Sequence, residues 1–574
     1  MRTYLFSALL LLTSGLTAQT NIQLTNATAR AVLLGQYDPA DYAPAVVNTD
    51  PAYLAGTLDA GLSADSLKAL LLEMTTFQTR NTASDTISSE TGIGAARRWA
   101  HARLRGYAVA AGNRLEVGYL QFDQNICGVG QHRNVVAVLP GSDPTAGSLL
   151  VEAHMDSMCE DPCDPDCLAQ GMEDNGSGTA LVLELARVMA PLSLERTVIF
   201  MLTIGEEQGL FGANAFAQYV EDEGIDLKAV FNNDVIGGIY CGETSSAPSC
   251  PGLGDIDSTH VRIFSGGFHN SPHKQLARYV KMQYEEELRD LVTVPMDIVL
   301  MSGLDRIGRG GDHIPFTSRD YPAVRFTSAN EHGNAMVSNP DYHDRQHTSR
   351  DELGVDTDSD GVLDSFYVDF NYLRRNAAIN GTAIAMAATS PPTPALIAEN
   401  LGDSVRITVT DPLEEGPYKV MVITDQTDFD TVVTLVDRSS VTLEKTFFLY
   451  YASAARIDAR GVESLFSREV RPTAVNTTAA PAPTGRVELL QNRPNPFDEA
   501  TWISYVVHDT PNFQRAELRV TDIEGKIVRR IELQPRQGVN EVLYHHGYGA
   551  VGVYQYQLVL DGEVAATKRM VFAN

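Results

Sequence analysis

The sequence predicts an α/β domain with a mostly parallel mixed sheet flanked by helices, followed by two all-β sandwich domains. Three observations predict it. From residue 66 to 388, apolar strand-like runs alternate with helical patterns, the texture of a sheet whose strands are joined by crossover helices. After "TSPPTP" the texture changes to apolar/polar alternation, as at Val405, Ile407 and Val409 and again at Val420 and Val422. From 486 to 574 short alternating strands return, with glycine-centred turns at "DIEGK" and "LDGEV".

Taken in chain order, residues 1–18 carry Arg2, an apolar stretch and a small-residue exit at Ala18, the layout of a cleaved signal peptide. The stretch is too short to span a bilayer, and no later one supplies the ~20 apolar residues a span needs. Residues 19–65 show no strong pattern and read as an N-terminal extension or propeptide. In 66–388 the candidate strands are "NVVAVLPG", "SLLVEAH", "TVIFMLTI" and "KAVFNND"; the candidate helices are "GIGAARRWAHARLRGY", "GTALVLELARVMA" and "HKQLARYVKMQYEEELRDL". In the last helix Leu276, Tyr279, Val280, Tyr284, Leu288 and Leu291 recur at helical spacing and form one apolar, core-facing stripe. Residues 393–473 read as a fibronectin type III-like β-sandwich serving as a spacer, and 474–485, which contain "NTTAAPAPTG", as a linker.

At 574 residues the chain has room for about three or four domains. Its net charge of -29 argues against the clustered Lys and Arg that phosphate neutralisation demands, so no nucleic-acid partner is expected. An exported chain exposes its six cysteines to an oxidising compartment, where disulfides are the default. Cys241 and Cys250 can pair locally across "CGETSSAPSC". The run "CEDPCDPDC" fits disulfide stapling of a loop better than a thiolate metal site, because its spacing lacks a paired second half.

Three of the apolar strands finish in chemistry: "LLVEAHMD" in His154 and Asp156, "VIFMLTIGEE" in Glu206 and Glu207, "AVFNND" in Asp234. Ligands of open α/β sheets bind beyond the carboxyl ends of parallel strands, so these residues are expected at one sheet edge. Asp174 in "EDNGSG" reads, alone, as an ordinary helix N-cap. In company it is also placed to bridge two cations, with Gly176 and Gly178 letting the backbone approach. His347 in "DRQHTSRDEL" supplies a second imidazole. His154, Asp174, Glu207, Asp234 and His347 are then two imidazoles and three carboxylates, a donor set suited to two Zn2+ if Asp174 is shared. Amide hydrolysis by an activated water is the reaction such a set serves best.

In the order "HMD", "EDNGSG", "GEEQGLFG", "NNDVIGG" and "QHTSRD", with "FQTRNT" and the Trp99 helix upstream, residues 66–388 resemble the co-catalytic di-zinc aminopeptidases of the bacterial leucyl aminopeptidase type, related to glutamate carboxypeptidase. The resemblance implies that Asp174 bridges, that His154 and Asp234 serve one ion and Glu207 and His347 the other, and that Glu206 is the general base. It further implies that Asp156 orients His154, and that "GRGGDHIPF", with Asp312, His313 and Phe316, borders the substrate pocket. Glu331 is a candidate for binding the substrate amine, or a surface acid. The implied activity is that of a secreted aminopeptidase acting on peptides. A carboxypeptidase, dipeptidase or glutaminyl cyclase on the same fold, or a non-catalytic receptor or adhesin, are the alternatives; the last would be expected to have lost ligands that this chain keeps.

A separate candidate is "DTDSDGVLD", where Asp356, Asp358, Asp360 and Asp364 have the oxygen spacing of a Ca2+ loop. Tyr367 stands where an EF-hand has its bidentate Glu, so the stretch reads equally as a solvated acidic insertion. Finally, "ELLQNRPNPFDEATWISY", "LRVTDIEGKIV" and "GVYQYQLVLDGEVAATKRMVF" in 486–574 resemble the type IX secretion C-terminal sorting domain. That resemblance implies an outer-membrane secretion machinery as partner and a secreted or cell-surface-attached enzyme.

Overall fold

The computed structural model describes residues 19–240, 255–267, 271–305, 310–329, 345–410, 417–423, 427–445, 451–474, 487–497, 500–507, 513–523, 525–546 and 551–573. The expected signal segment, Cys241, Cys250, Glu331 and nearly all of the linker lie outside the described residues.

Among the described residues nine strands form one mixed sheet: β1 (Thr20–Leu24), β2 (Glu116–Ile126), β3 (Val129–Leu139), β4 (Ser148–His154), β5 (Thr197–Thr203), β6 (Leu227–Asn233), β7 (His260–Ser265), β8 (Asp297–Leu300) and β9 (Ala323–Ser328). Their order is β1-β2-β3-β5-β4-β6-β9-β7-β8. The centre, β5-β4-β6-β9, is parallel, and so is the β7/β8 pair. The flank from β1 through β3 into β5, and the β9/β7 pair, are antiparallel. The central strands are near-continuous apolar runs because both faces are covered; every residue of β4 and β5 is buried.

Among the described residues these α-helices accompany the sheet: α1 (Ala27–Leu33), α2 (Pro51–Gly61), α3 (Ala64–Thr75), α4 (Gly92–Ala110), α5 (Gly178–Met189), α6 (Phe211–Glu223), α7 (Pro272–Gln283), α8 (Ile314–Thr317) and α9 (Phe370–Thr389). On one face Leu149, Val151 and Ala153 of β4 pack with residues of α2, α3, α4, α5, α7 and α9. On the other, Leu150 packs with α1, α6 and Phe316 of α8. Small residues let α9 sit deep: a Cβ on Gly381 would come within 2.9 Å of Leu185.

Two local expectations change. Residues 19–65, read as an extension, are woven into this body: β1 pairs with β2, and Leu54 and Leu58 of α2 are fully buried. Their apolar spacing is short and broken by Pro and Gly, which hid it. Leu291 is 49% exposed, because α7 stops at Gln283 and a further turn, 284–288, ends before it.

Residues 396–474 form a four-stranded and a three-stranded sheet around Val405, Ile407, Val409, Val420 and Val422. This module is packed against the first rather than spaced from it. Arg278 of α7 pairs with Glu469 at 2.9 Å, Gln275 donates to the Ser467 carbonyl at 3.1 Å, and Tyr279 meets Phe466 edge-on at 5.4 Å. Gln275, Arg278 and Gln283 of α7 are buried for that reason. Residues 487–572 form another pair of sheets around their own core, touching the middle module through Tyr451, Leu490, Trp502 and Val506.

Candidate metal centre

The parallel strands deliver their C-terminal ends to one edge. His154 ends β4, Asp234 follows β6 directly, and Glu206 and Glu207 lie just past β5. Asp174 comes from the segment before α5, where Gly178 lets the chain pass: a Cβ there would stand 2.4 Å from the Asn233 carbonyl oxygen. His347 comes from the other side of the sequence and completes the cluster.

The geometry divides around Asp174. Its Oδ1 lies 3.1 Å from His154 Nε2, and its Oδ2 lies 3.1 Å from His347 Nε2. Asp234 Oδ1 lies 3.3 Å from His154 Nε2, and Glu207 Oε2 lies 3.6 Å from His347 Nε2. Two groups result, His154/Asp174/Asp234 and Asp174/Glu207/His347, each with its ligand atoms within 4.8 Å of one another. Every one of the five residues sequence reasoning nominated is therefore in the cluster. Glu206 lines the same cavity of about 390 Å³, with Met158, Gln208, Leu210, Gly310 and Arg325.

Electrostatics supplies the fit test for cations. Burial raises the Glu206 carboxyl well above its ordinary range, against the pull of His154, with Asp234, Asp312 and Asp174 raising it further. Burial and then Asp174 do the same to Glu207, whose Oε1 is buried with no hydrogen-bond partner among the described residues. Burial lowers His154, but Glu206, Asp156, Asp174 and Asp234 outweigh it and hold the imidazole well above its usual value. Burial opposes ionisation of Asp174, yet the two imidazoles beside it hold it well below the carboxylate range. So many acids around two imidazoles are costly to bury, and an orphaned ligand oxygen points the same way; two divalent cations fit this donor set.

Asp156 organises two ligands at once. Its carboxylate accepts the N–H of Glu206 and of Glu207, each at 3.3 Å, and the Thr82 hydroxyl at 3.1 Å. His154 Nδ1 lies 3.2 Å from the Asp156 main-chain oxygen and 3.7 Å from its Oδ1. The turn after β5 thus fixes how neighbouring acids project: Glu207 toward His347, Glu206 into the cavity.

Other buried polar groups went unnoticed in the sequence. Arg80 of "FQTRNT", fully buried, donates to the carbonyls of Met155 at 2.7 Å, Gly171 at 2.8 Å and Gln170. It closes the base of the loop that joins His154 to Asp174. Disulfides Cys127–Cys163 and Cys159–Cys167 staple the same loop, as the stapling reading of "CEDPCDPDC" requires. Asp351 of "QHTSRD" accepts the N–H groups of Glu173 and Asp174. Glu152, two residues before His154, is fully buried with neither carboxyl oxygen partnered among the described residues, and burial raises it well above the carboxylate range. A charged residue inside the runs "LLVEAH" and "AVRFTS" was the available signal.

"GRGGDHIPF" is split by the fold. Gly310 lines the cavity, and Asp312 is buried beneath it, accepting from Thr203 and raised by burial to about 7. Phe316 does not border the pocket: it packs on Phe216 in the far core, one helical turn being enough to carry it off the edge. In "DTDSDG", Asp356, Asp358 and Asp360 lie together at the surface, with Asp356 and Asp360 accepting from the loop's own N–H groups; Asp364 accepts from Thr357. None of them joins the centre.

Residues 134–365 match the model of Peptidase family M28. A "Probable zinc metalloprotease" of Pyricularia oryzae is 32% identical over 376 residues, covering 63% of this chain and 69% of its own length. One of Leptosphaeria maculans is 32% identical over 346 residues, covering 58% and 76%. Among solved structures, the LapA aminopeptidase of Legionella pneumophila is 20% identical with a TM-score of 0.42, covering 59% of this chain and 74% of that one.

Proposed function

This chain belongs to peptidase family M28, as a zinc metalloprotease, and on that premise we propose that it is an exopeptidase removing N-terminal residues from peptides. The observation that carries the reading is Asp174, whose two oxygens lie 3.1 Å from the two imidazoles and so serve both halves of one centre. In this reading His154, Asp174 and Asp234 hold one zinc, and Asp174, Glu207 and His347 the other. Zinc at such a centre lowers the pKa of water to about 7 and offsets charge developing on a carbonyl oxygen.

The chain's own residues do the rest. Glu206, in the cavity wall, accepts the proton of the attacking water and returns it to the departing amine. Asp156 keeps Glu206 and Glu207 aimed apart through their N–H groups. Glu206, the carboxylate among the described residues lining the cavity that holds no zinc in this reading, favours a substrate's ammonium end. Among the described residues that line the cavity, the guanidinium of Arg325 is engaged by Asp234 and Asp305. The test is hydrolysis of aminoacyl-nitroanilides beside their N-acetylated forms. Loss of activity on acetylation is expected; activity that tolerates acetylation contradicts an aminopeptidase.

Export is part of the same proposal. Its supports are the leader-like layout of 1–18, the disulfides that staple the loop at the centre, and the C-terminal module with its "NPF" and "GVY" stretches. No described helix is long and apolar enough to cross a membrane. Mass spectrometry of the culture medium and cell surface should find a form that lacks residues 1–18 and the C-terminal module; a full-length cytoplasmic form contradicts it.

A further inference from the structure

Arg325 is an arginine in a strand that is otherwise buried and mostly apolar. It lies between Val324 and Phe326 of β9 and is 2% exposed. In register it stands beside Asn232 of β6, which stands beside Glu152 of β4, so a row of buried polar side chains crosses the sheet next to the centre. A buried guanidinium needs charged or hydrogen-bonded partners. Its Nη1 donates to Asp305 Oδ2 at 2.7 Å, and its Nε lies 3.0 Å from Asp234 Oδ2.

Asp234 is thereby divided. Its Oδ1 faces His154 Nε2 at 3.3 Å, and its Oδ2 faces a permanent cation. Gly311 completes the arrangement: a Cβ there would stand 3.1 Å from both Asp234 Oδ2 and Arg325 Cδ, so the backbone closes directly over the pair. The other half of the centre is built differently. Arg80 is near it, but its N–H groups go to main-chain carbonyls, and Glu207 Oε1 is unpartnered among the described residues.

We propose that Arg325 is a positioning residue that makes the two zinc positions inequivalent: by occupying Asp234 Oδ2 it leaves one oxygen for the ion beside His154 and draws charge from it. That position then binds zinc more weakly than the Glu207/His347 position, and the ion there is the more electron-poor. A guanidinium nitrogen 3.0 Å from a carboxylate oxygen, an ion pair rather than an aligned hydrogen bond, competes electrostatically with a cation for the same carboxylate charge, whereas bonds to a metal-ligating imidazole strengthen ligation. Asp305 holds Arg325 in place from its other side. The inference rests on the two-zinc reading of the centre.

Chelator-buffered zinc titration of the full chain tests it, on wild type, R325M/D305N and R325K. Wild type should bind two zinc ions with unequal constants, and anomalous scattering of the singly loaded protein should place the ion at Glu207/His347. In R325M/D305N the weaker constant should tighten about tenfold, the size of effect a neighbouring charge has on a carboxylate's affinity for a cation, and the tighter one stay put, while kcat falls about tenfold with KM within about twofold. R325K guards against misfolding of the double variant: an ammonium cannot reproduce the two-carboxylate fork, so the same tightening, about threefold, is expected. A residue that merely supports the fold would loosen both ions instead. A weaker constant that is unchanged or loosened in either variant, or a single ion found at His154/Asp234, overturns the proposal. Wild type binding fewer than two zinc ions overturns the two-zinc reading itself, and the proposal with it.

Discussion

Asp351 accepts the backbone N–H of Asp174 at 2.9 Å, with its other oxygen on the N–H of Glu173 at 3.0 Å. The residue that would bridge two cations is thus held by an acid four positions beyond His347, and the two remote segments are locked together. An Asn at 351 would turn an amide N–H against one of those donors. Asp351→Asn is expected to keep the fold and weaken zinc binding by about 10- to 100-fold, measured by chelator competition.

The ion pair between α7 and the middle module is costly to bury. Burial raises Glu469 to about 7 and also lowers Arg278, each against the other's attraction. Removing only the cation leaves the carboxyl uncompensated, so Arg278→Met should cost about 3–5 kcal/mol. The double change Arg278→Met with Glu469→Met should cost much less, and thermal unfolding of the two variants makes the comparison.

The same acid gives a pH dependence with a defined sign. A carboxyl whose folded pKa is above its unfolded one contributes stability that is fully present below the unfolded value, about 4.5, and lost as pH rises through about 7. Between pH 5 and pH 8 the Tm of wild type should therefore fall further than that of Glu469→Gln. Parallel profiles for the two proteins would contradict the assignment.

The two β modules should behave differently when removed. Ending the chain at residue 390 uncovers α7, with Lys274, Gln275, Arg278 and Tyr279 no longer buried, and soluble yield should collapse. Ending it at 474 uncovers the patch around Tyr451 and the contacts of Ser302 and Lys274 with residues 493–502, a smaller area, and should leave a soluble enzyme. Equal yields from both truncations would show that the middle module is a spacer after all.

What was legible in the sequence follows from locality. His154, Glu206, Glu207 and Asp234 could be found because each ends an apolar run, and run ends of a parallel sheet share an edge. The helix over 178–190 was legible from its near-unbroken apolar stretch. Arg80, Asp351 and Arg325 were not, because their roles depend on partners far away in sequence: Arg80 and Gly171, Asp351 and Asp174, Arg325 and Asp234. Disulfide partners were hidden for the same reason, Cys127 and Cys163 meeting only when the β2–β3 hairpin stands over the loop. The middle module looked like a spacer because its strand alternation is generic, and nothing local marks Gln275, Arg278 and Tyr279 of α7 as its docking surface.

The central claim is that adjacent acids past β5 do separate jobs, Glu207 as a ligand and Glu206 as the base. Zinc content measured beside turnover of an aminoacyl-nitroanilide tests it most directly in Glu206→Gln and Glu207→Ala. Glu206→Gln is expected to keep two zinc ions and lose about 10²- to 10⁴-fold in kcat, while Glu207→Ala is expected to lose zinc. Glu206→Gln with two zinc ions and nearly full activity would contradict it.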